Sequence, residues 1–541
     1  MGFLKFNNWT FLEPYHNTNK KSLLDNGYLH KTNYRLFLSV AAFLLFCLSI
    51  VSENFSANNQ VYASNSVVSE GQQSTNIIKQ YVIPSANSGP NAIISAPGNA
   101  FWFVEFTGGK IGEFFASNDT FKEFPIRENN SIPASLAIDH FGNIWFSDQK
   151  SPGSIWMYDP TTNHFTQYYT LTQKSAPLFI LVDPQNDIWF TETTANRIGE
   201  LVSPDYKMVE YTLPSANSGP VELAWSQNHS YIWITETIAG KIARFDVVSH
   251  SFTEFSPPPY LSISYPVGIV VDGSGNVWVS EHGGSAVVEL NTTNFAFRSY
   301  PTSVPSGQFT IAAVATLAID SQGRFWFVEH FANKVGRLDV ATGQIDEFQI
   351  PGTALAYSVL NAVDSQGNFW FTEFGANAID EFPANASSPI GATIQLPEGN
   401  NITSGKMVEA NVVISNKLDV PQSVSLSTTS SFSATGFTSG NQISLNSTSI
   451  NLPANGQVTV SAMITTNTSL PSGQYSFGIV AASLANSSTV GIGFISVVGQ
   501  LNLGDLLASN YQLILVAIVV VLAISYFAIS RRSTRSGPKK K

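Results

Sequence analysis

Between residues 76 and 384 short apolar stretches alternate with polar turns, and the alternation repeats seven times. A tryptophan heads one segment of every repeat: Trp102 (FWFVE), Trp145 (IWFSD), Trp189 (IWFTE), Trp233 (IWITE), Trp278 (VWVSE), Trp326 (FWFVE) and Trp370 (FWFTE). Their separations are 43, 44, 44, 45, 48 and 44 residues. That is the length of one four-stranded propeller blade. Helix-pair repeats of similar length would need apolar positions at a 3.6-residue period, which these segments lack. In each unit an apolar strand such as Gly268-Ile-Val-Val271 runs into a tight turn, as in Asp272-Gly-Ser-Gly-Asn276, Asp320-Ser-Gln-Gly323 or Asp364-Ser-Gln-Gly-Asn368. Asp bonds the turn backbone and Gly takes positive φ at no steric cost. The tryptophan strand follows, then Lys/Arg-Ile/Val-Gly, as in Arg197-Ile-Gly199 and Lys334-Val-Gly336, and an outer strand such as Phe252-Thr-Glu-Phe255. The pattern predicts an all-β chain with a seven-bladed β-propeller over 76–384.

The last unit runs through Ala378-Ile-Asp-Glu-Phe382 and stops without an outer strand, while an unmatched outer-type strand, 77–83 (IIKQYVI), precedes the first unit. The sequence therefore predicts that this N-terminal strand completes the seventh blade and removes the open edges. The heptapeptide after it, Pro84-Ser-Ala-Asn-Ser-Gly-Pro90, recurs verbatim at Pro214–Pro220. Beyond Ala384 the composition shifts to Ser, Thr, Asn and Val, with alternating segments at 408–415, 457–465 and 474–482. They predict an immunoglobulin-like β-sandwich over 390–498, acting as a stalk.

Two apolar runs set the expected topology. Residues 511–530 carry no charge over about a bilayer's span. Arg531, Arg532, Arg535, Lys539, Lys540 and Lys541 follow at once in the tail 531–541, which places the C-terminus in the cytoplasm. The run 36–52 follows a 1–35 n-region bearing Lys31 and Arg35 and reads equally as a cleaved signal or a retained anchor. With 53–75 as linker, the propeller and sandwich are expected outside the cell, on a single- or double-pass membrane protein. Sequons at Asn54, Asn118, Asn129, Asn228, Asn291, Asn385, Asn401, Asn446, Asn467 and Asn486 agree with export and an expected glycoprotein.

Composition changes the picture in three respects. Only 12% of the 541 residues are charged, about half the usual share, as in short strands joined by polar turns. A net charge of −11 and a pI near 5.2 argue against a nucleic-acid binder, which needs a basic footprint. Cys47 is the single cysteine, so neither an intrachain disulfide nor a Cys-based zinc site can form.

The blade pattern W-F-T-E followed five residues later by K/R-I-G resembles the virginiamycin B lyase (streptogramin lyase) family over the propeller region. It is clearest at Trp189-Phe-Thr-Glu192 with Arg197-Ile-Gly199, and at Trp326-Phe-Val-Glu329 with Lys334-Val-Gly-Arg337. The resemblance implies elimination on a cyclic depsipeptide, with Mg²⁺ held partly by a strand-end glutamate and a general-base histidine directly after the proline that opens a blade. The residues at that position here are Asn91, Ala134, Leu178, Val221, Val267, Ala315 and Val359. None is histidine, so the family's reaction by the family's residues is not expected.

What the pattern leaves is acidic. The strand-end position carries Glu105, Asp148, Glu192, Glu236, Glu281, Glu329 and Glu373, which the repeat places at equivalent points around the ring. Converging carboxylates could hold Mg²⁺ or Ca²⁺, and Glu236, Glu281, Glu329 and Glu373 are the candidate ligands. The competing reading is local pairing with the basic residue five positions on: Lys110, Arg197, Lys241 or Lys334. Histidine follows the carboxylate in two neighbouring units, making His282 and His330 the candidate catalytic pair. His140, His164, His229 and His250 fall at turns or strand ends, and the tryptophans are expected to pack between blades. No G-x-S-x-G, P-loop or H-E-x-x-H segment is present.

Three functions compete: a surface protein binding an extracellular peptide, glycan or protein; a metal-dependent lyase or hydrolase of a cyclic ester through a rearranged site; and a structural envelope component.

Overall fold

In the computed structural model the described residues are 77–499, apart from 259–260, 262–264, 304–310, 352–356, 398–400, 404–406, 431–441, 467–472 and 485–488. The segments 36–52 and 511–530 lie outside them. Every regular element among the described residues is a strand, and no helix is long and apolar enough to cross a membrane.

Four-stranded antiparallel meanders follow one another at 90–125, 133–169, 177–212, 220–255, 266–301 and 314–349. A further blade at 362–382 takes its outer strand, Lys79–Val82, from the other end of the sequence. Tyr81 pairs there with Ile379, and Val82 with Ala378. The innermost strands touch in chain order, and the last, Ala362–Val363, returns to the first, Pro90–Ala96. This propeller-like ring closes by strand exchange, as the unmatched N-terminal strand predicts.

The repeat motif accounts for the blade residue by residue. At the inner hairpin the turn aspartate accepts backbone N–H bonds two and four residues on, as Asp272 does from Ser274 and Asn276 at 2.8 and 2.9 Å. Its second oxygen accepts the indole N–H of the tryptophan six residues on, in Trp145–Asp139, Trp278–Asp272, Trp326–Asp320 and Trp370–Asp364 at 2.8–3.0 Å. Burial of a large ring with its polar atom satisfied suits the space between blades. Two places along, Ser147, Thr191 and Thr235 each accept an N–H from the bulged inner strand of their own blade. The same hydroxyls donate at 2.6–2.9 Å to Leu178, Val221 and Val267 carbonyls in the next blade. The glycine of K/R-I-G is demanded by packing, because a Cβ at Gly112, Gly199 or Gly336 would overlap the ring of Phe103, Phe190 or Phe327.

The verbatim heptapeptide has a physical reason too. Ser88 and Ser218 donate through N–H and hydroxyl to Asn377 and Asn196 of the preceding blade. Asn217 and Gly219 have φ of 55° and 63°, and Ile238 leaves no room for a Cβ at Gly219.

Residues beyond the ring form two sheets around one core, in which Ile390, Val412 and Val460 face Val424, Leu426 and Ile479. This unit is not a free stalk. Its last strand, Thr489–Gly499, pairs antiparallel with the outer strand of blade six, Gln344–Gln349, so one sheet runs through both. Val480 and Ile492 pack with Tyr300 and Ile345 of the ring. Arg337 ties the connecting segment to the ring by donating to the Ala386 carbonyl and pairing with Asp346 at 2.6 Å.

Candidate functional site

The strand-end carboxylates lie on the face where blades open and where second strands turn into third strands. Glu105, Asp148, Glu192, Glu236, Glu329 and Glu373 are buried, and Glu281 is half-buried. The basic residue five places on lies directly opposite in register: Glu105 with Lys110, Glu192 with Arg197, Glu236 with Lys241, Glu329 with Lys334.

The local-pairing reading needs one correction. The cation makes its close ion pair with a glutamate on the outer strand, not with the strand-end carboxylate. Arg197–Glu210, Lys241–Glu254 and Lys334–Glu347 are each 2.7 Å apart, and Lys110–Glu123 is 3.3 Å. Lys110 to Glu105 is longer, at 3.8 Å. Those outer glutamates escaped the sequence reading, although each follows its basic partner by thirteen residues. The loop entering each blade then clasps the same carboxylate: Thr172, Ser215 and Ser303 donate both N–H and hydroxyl to Glu210, Glu254 and Glu347.

The strand-end acid is left buried beside an already ionised carboxylate. Burial, then Glu123, pushes Glu105 up to about 8. Burial, then Glu210 and Glu254 respectively, pushes Glu192 to about 8 and Glu236 to about 7. Glu329 rises well above the usual range by burial, then by repulsion from Glu347. In blade seven Ala378 replaces the basic residue, and Gln80 of the closure strand donates to Glu373 instead. Burial holds both Glu373 and neighbouring Asp380 up, the latter to about 9.

These carboxylates do not converge. Glu236, Glu281, Glu329 and Glu373 each belong to a separate blade, and no group of three or more His, Cys, Asp or Glu side chains among the described residues is placed to hold a metal ion. Mg²⁺ or Ca²⁺ needs six or more oxygens around one point. The four candidate ligands therefore form no shared cage for Ca²⁺, whereas Mg²⁺ keeps several waters and takes as few as one or two carboxylates. Lys334, flanked by Glu329 and Glu347, is the most enclosed of the four cations opposite a strand-end carboxylate, and Lys334→Met is expected to cost about 3–5 kcal/mol in urea unfolding by stranding a buried carboxylate. A loss below about 1 kcal/mol would refute the structural role.

One residue beyond the carboxylate comes a second ring of positions: Phe106, Gln149, Thr193, Thr237, His282, His330 and Phe374. Several of these join one blade to the next. Thr193 and Thr237 donate to the carbonyls of Pro220 and Pro266 at 2.9 and 2.5 Å, and Phe374 meets Phe106 edge-on at 6.3 Å. His282 and His330 sit in the same role, with Nε2 of His282 3.1 Å from Nδ1 of His330. His330 Nε2 accepts the Ser358 N–H of blade seven at 3.3 Å, and its ring lies 4.5 Å from that of Tyr357. Burial lowers His282 to about 4 and His330 well below its ordinary value, so both rings are neutral near pH 7. Since His330 Nε2 accepts, its proton is on Nδ1 and points at His282 Nε2; the proton of His282 is then on Nδ1. Both acceptor nitrogens are occupied by this relay.

The profile of the Virginiamycin B lyase family matches residues 120–399, just over half of the chain. The chain belongs to this family. A virginiamycin B lyase of Nocardia farcinica is 25% identical over 188 residues, 34% of this chain and 62% of that protein, so the chain spans less than two thirds of this curated relative. A streptogramin B lyase structure is 25% identical, with a TM-score of 0.51 over 56% of this chain and 96% of its own. A catalytically inactive virginiamycin B lyase from Staphylococcus aureus, with quinupristin, is 24% identical with a TM-score of 0.50 over 56% and 98%, a likeness of fold. At the blade openings of this chain Asn91 donates across to the Ala134 carbonyl, and Leu178, Val221, Val267, Ala315 and Val359 have no side-chain proton to exchange.

Proposed function

We propose that this family member is a membrane-anchored, extracytoplasmic seven-bladed propeller on an immunoglobulin-like sandwich, and that the blade-opening face binds an extracellular peptide, glycan or protein. The observation carrying this reading is the chain of contacts from the Ser358 N–H to His330 and from His330 to His282: with both rings neutral, either imidazole must break an interblade hydrogen bond before it can accept a substrate proton. The partly exposed Phe106, Gln149, Thr193, Thr237 and Phe374 offer aromatic edges, hydroxyls and an amide with no net charge, a surface suited to recognition.

The test is binding of the intact chain in proteoliposomes to arrays of peptides, glycans and surface proteins. Thr193→Lys with Thr237→Lys should weaken a detected interaction tenfold or more, whereas Ser274→Lys, on the far face, should leave it unchanged. Absence of any ligand, or equal loss in both variants, would sink the reading. A second reading, a lyase or hydrolase of a cyclic ester, is favoured by the contact of two neutral imidazoles on that face. It requires turnover of a cyclic depsipeptide, with or without added Mg²⁺ or Ca²⁺, that disappears in His282→Asn and His330→Asn.

A further inference from the structure

Strand direction decides which face of the ring each connection reaches. Inner strands start at the blade openings and run to the aspartate turns, so second strands return to the histidine face, third strands run away from it, and outer strands return. The closure strand Lys79–Val82 is an outer strand, with Val82 opposite Ala378 and Lys79 opposite Glu381. The chain therefore enters the ring on the far face. The last ring strand, Ala378–Phe382, is a third strand and delivers the chain to that far face again, where Arg324 of an aspartate turn donates to the Ala384 carbonyl at 3.1 Å.

The sandwich keeps this direction. Its final strand pairs Thr489 with Phe348 near the histidine face and Gly493 with Gln344 at the far face. Residues 494–499 continue beyond the outer strand of blade six while remaining paired with Gly473–Ser483. At about 3.3 Å per residue these six carry the chain roughly 20 Å past the ring. Because one sheet and the Arg337 tie fix the sandwich to blade six, a swivelling linker does not erase this direction.

We infer that the face carrying His282, His330, Thr193, Thr237 and Phe374 is presented away from the membrane, so that its partner arrives from the medium or an opposing surface and not from the lipid or the same membrane. The inference rests on the anchoring reading above and on the 11 residues (500–510) separating Gly499 from the apolar run 511–530.

Blade three supplies matched probes, with Thr194 exposed beside the histidine face and Gln185 exposed in the aspartate turn of the far face. In a Cys47→Ser background the intact chain, reconstituted in vesicles, carries a fluorophore at Thr194→Cys or Gln185→Cys, and energy transfer to an acceptor lipid is measured. Transfer should be at least twofold stronger from position 185. Equal transfer, or stronger transfer from 194, overturns the orientation while leaving anchoring intact. Chain recovered in the aqueous phase with no transfer from either position overturns anchoring, and the orientation with it.

Discussion

Tyr81→Ala is expected to lower the unfolding free energy by about 3–5 kcal/mol, the range for removing a buried aromatic side chain. Tyr81 is 7% exposed, stacks on Trp370 at 5.6 Å and meets Phe114 at 4.6 Å. Its hydroxyl donates to Glu381 at 2.9 Å. The residue thus joins the closure strand both to Phe114 of blade one and to blade seven, whose Glu381 lies 300 positions away in sequence. Few other contacts could replace it, because the strand has only four residues, and of these only Tyr81 is buried. Tyr81→Phe keeps the ring and loses one hydrogen bond, so a cost near 1 kcal/mol is expected. Urea unfolding followed by tryptophan fluorescence measures both. Equal and small losses in the two variants would mean that strand exchange does not hold the ring closed.

Stability should also fall as pH rises from about 5 to 9. Glu105, Glu192, Glu236 and Asp380 have native values of about 8, 8, 7 and 9, above those of the unfolded chain. The folded state then holds protons that the unfolded state has released. This contribution is fully present below the unfolded carboxylate range and is lost as pH climbs through the native values. Each such group has a limiting slope of about 1.4 kcal/mol per pH unit. The outer glutamates act oppositely at the acid end. Burial opposes their ionisation, but Ser215 and Lys241 hold Glu254 below its usual range, and Thr172 with Arg197 does the same for Glu210. Their contribution disappears as pH falls through those depressed values. A stability maximum in mildly acidic solution follows. Melting temperatures from pH 3 to 9 locate it, and Glu192→Gln with Glu236→Gln should flatten the alkaline limb. A flat profile or a maximum above pH 8 contradicts the protonated strand-end acids.

Most of the fold was legible because its causes are local. The Asp-to-Trp spacing of six and the opposed Lys/Arg are contacts within one meander, the hydroxyl before the carboxylate links each meander to the next, and a repeated meander writes all three into the chain at a fixed period. The candidate site was legible only in part. The repeat pairs His282 with His330 because their units are neighbours, but their third partner, Ser358 of blade seven, carries no repeat signature. Nor could the strand-end acids be assigned, since Glu210, Glu254 and Glu347 resemble any other polar residue on a half-exposed outer strand.

By itself the sequence determined the tryptophan period, the all-β class, the missing outer strand at one end and its spare at the other, and the absence of histidine at the blade openings. Each depends on residue identity and spacing alone. Tertiary structure alone decided that the cations turn to the outer glutamates, that the two histidines relay a proton order between blades, and that the sandwich adds its last strand to blade six. The reason is that backbone edges and buried carboxylates accept many partners, and only the packed arrangement of blades determines which one lies within reach.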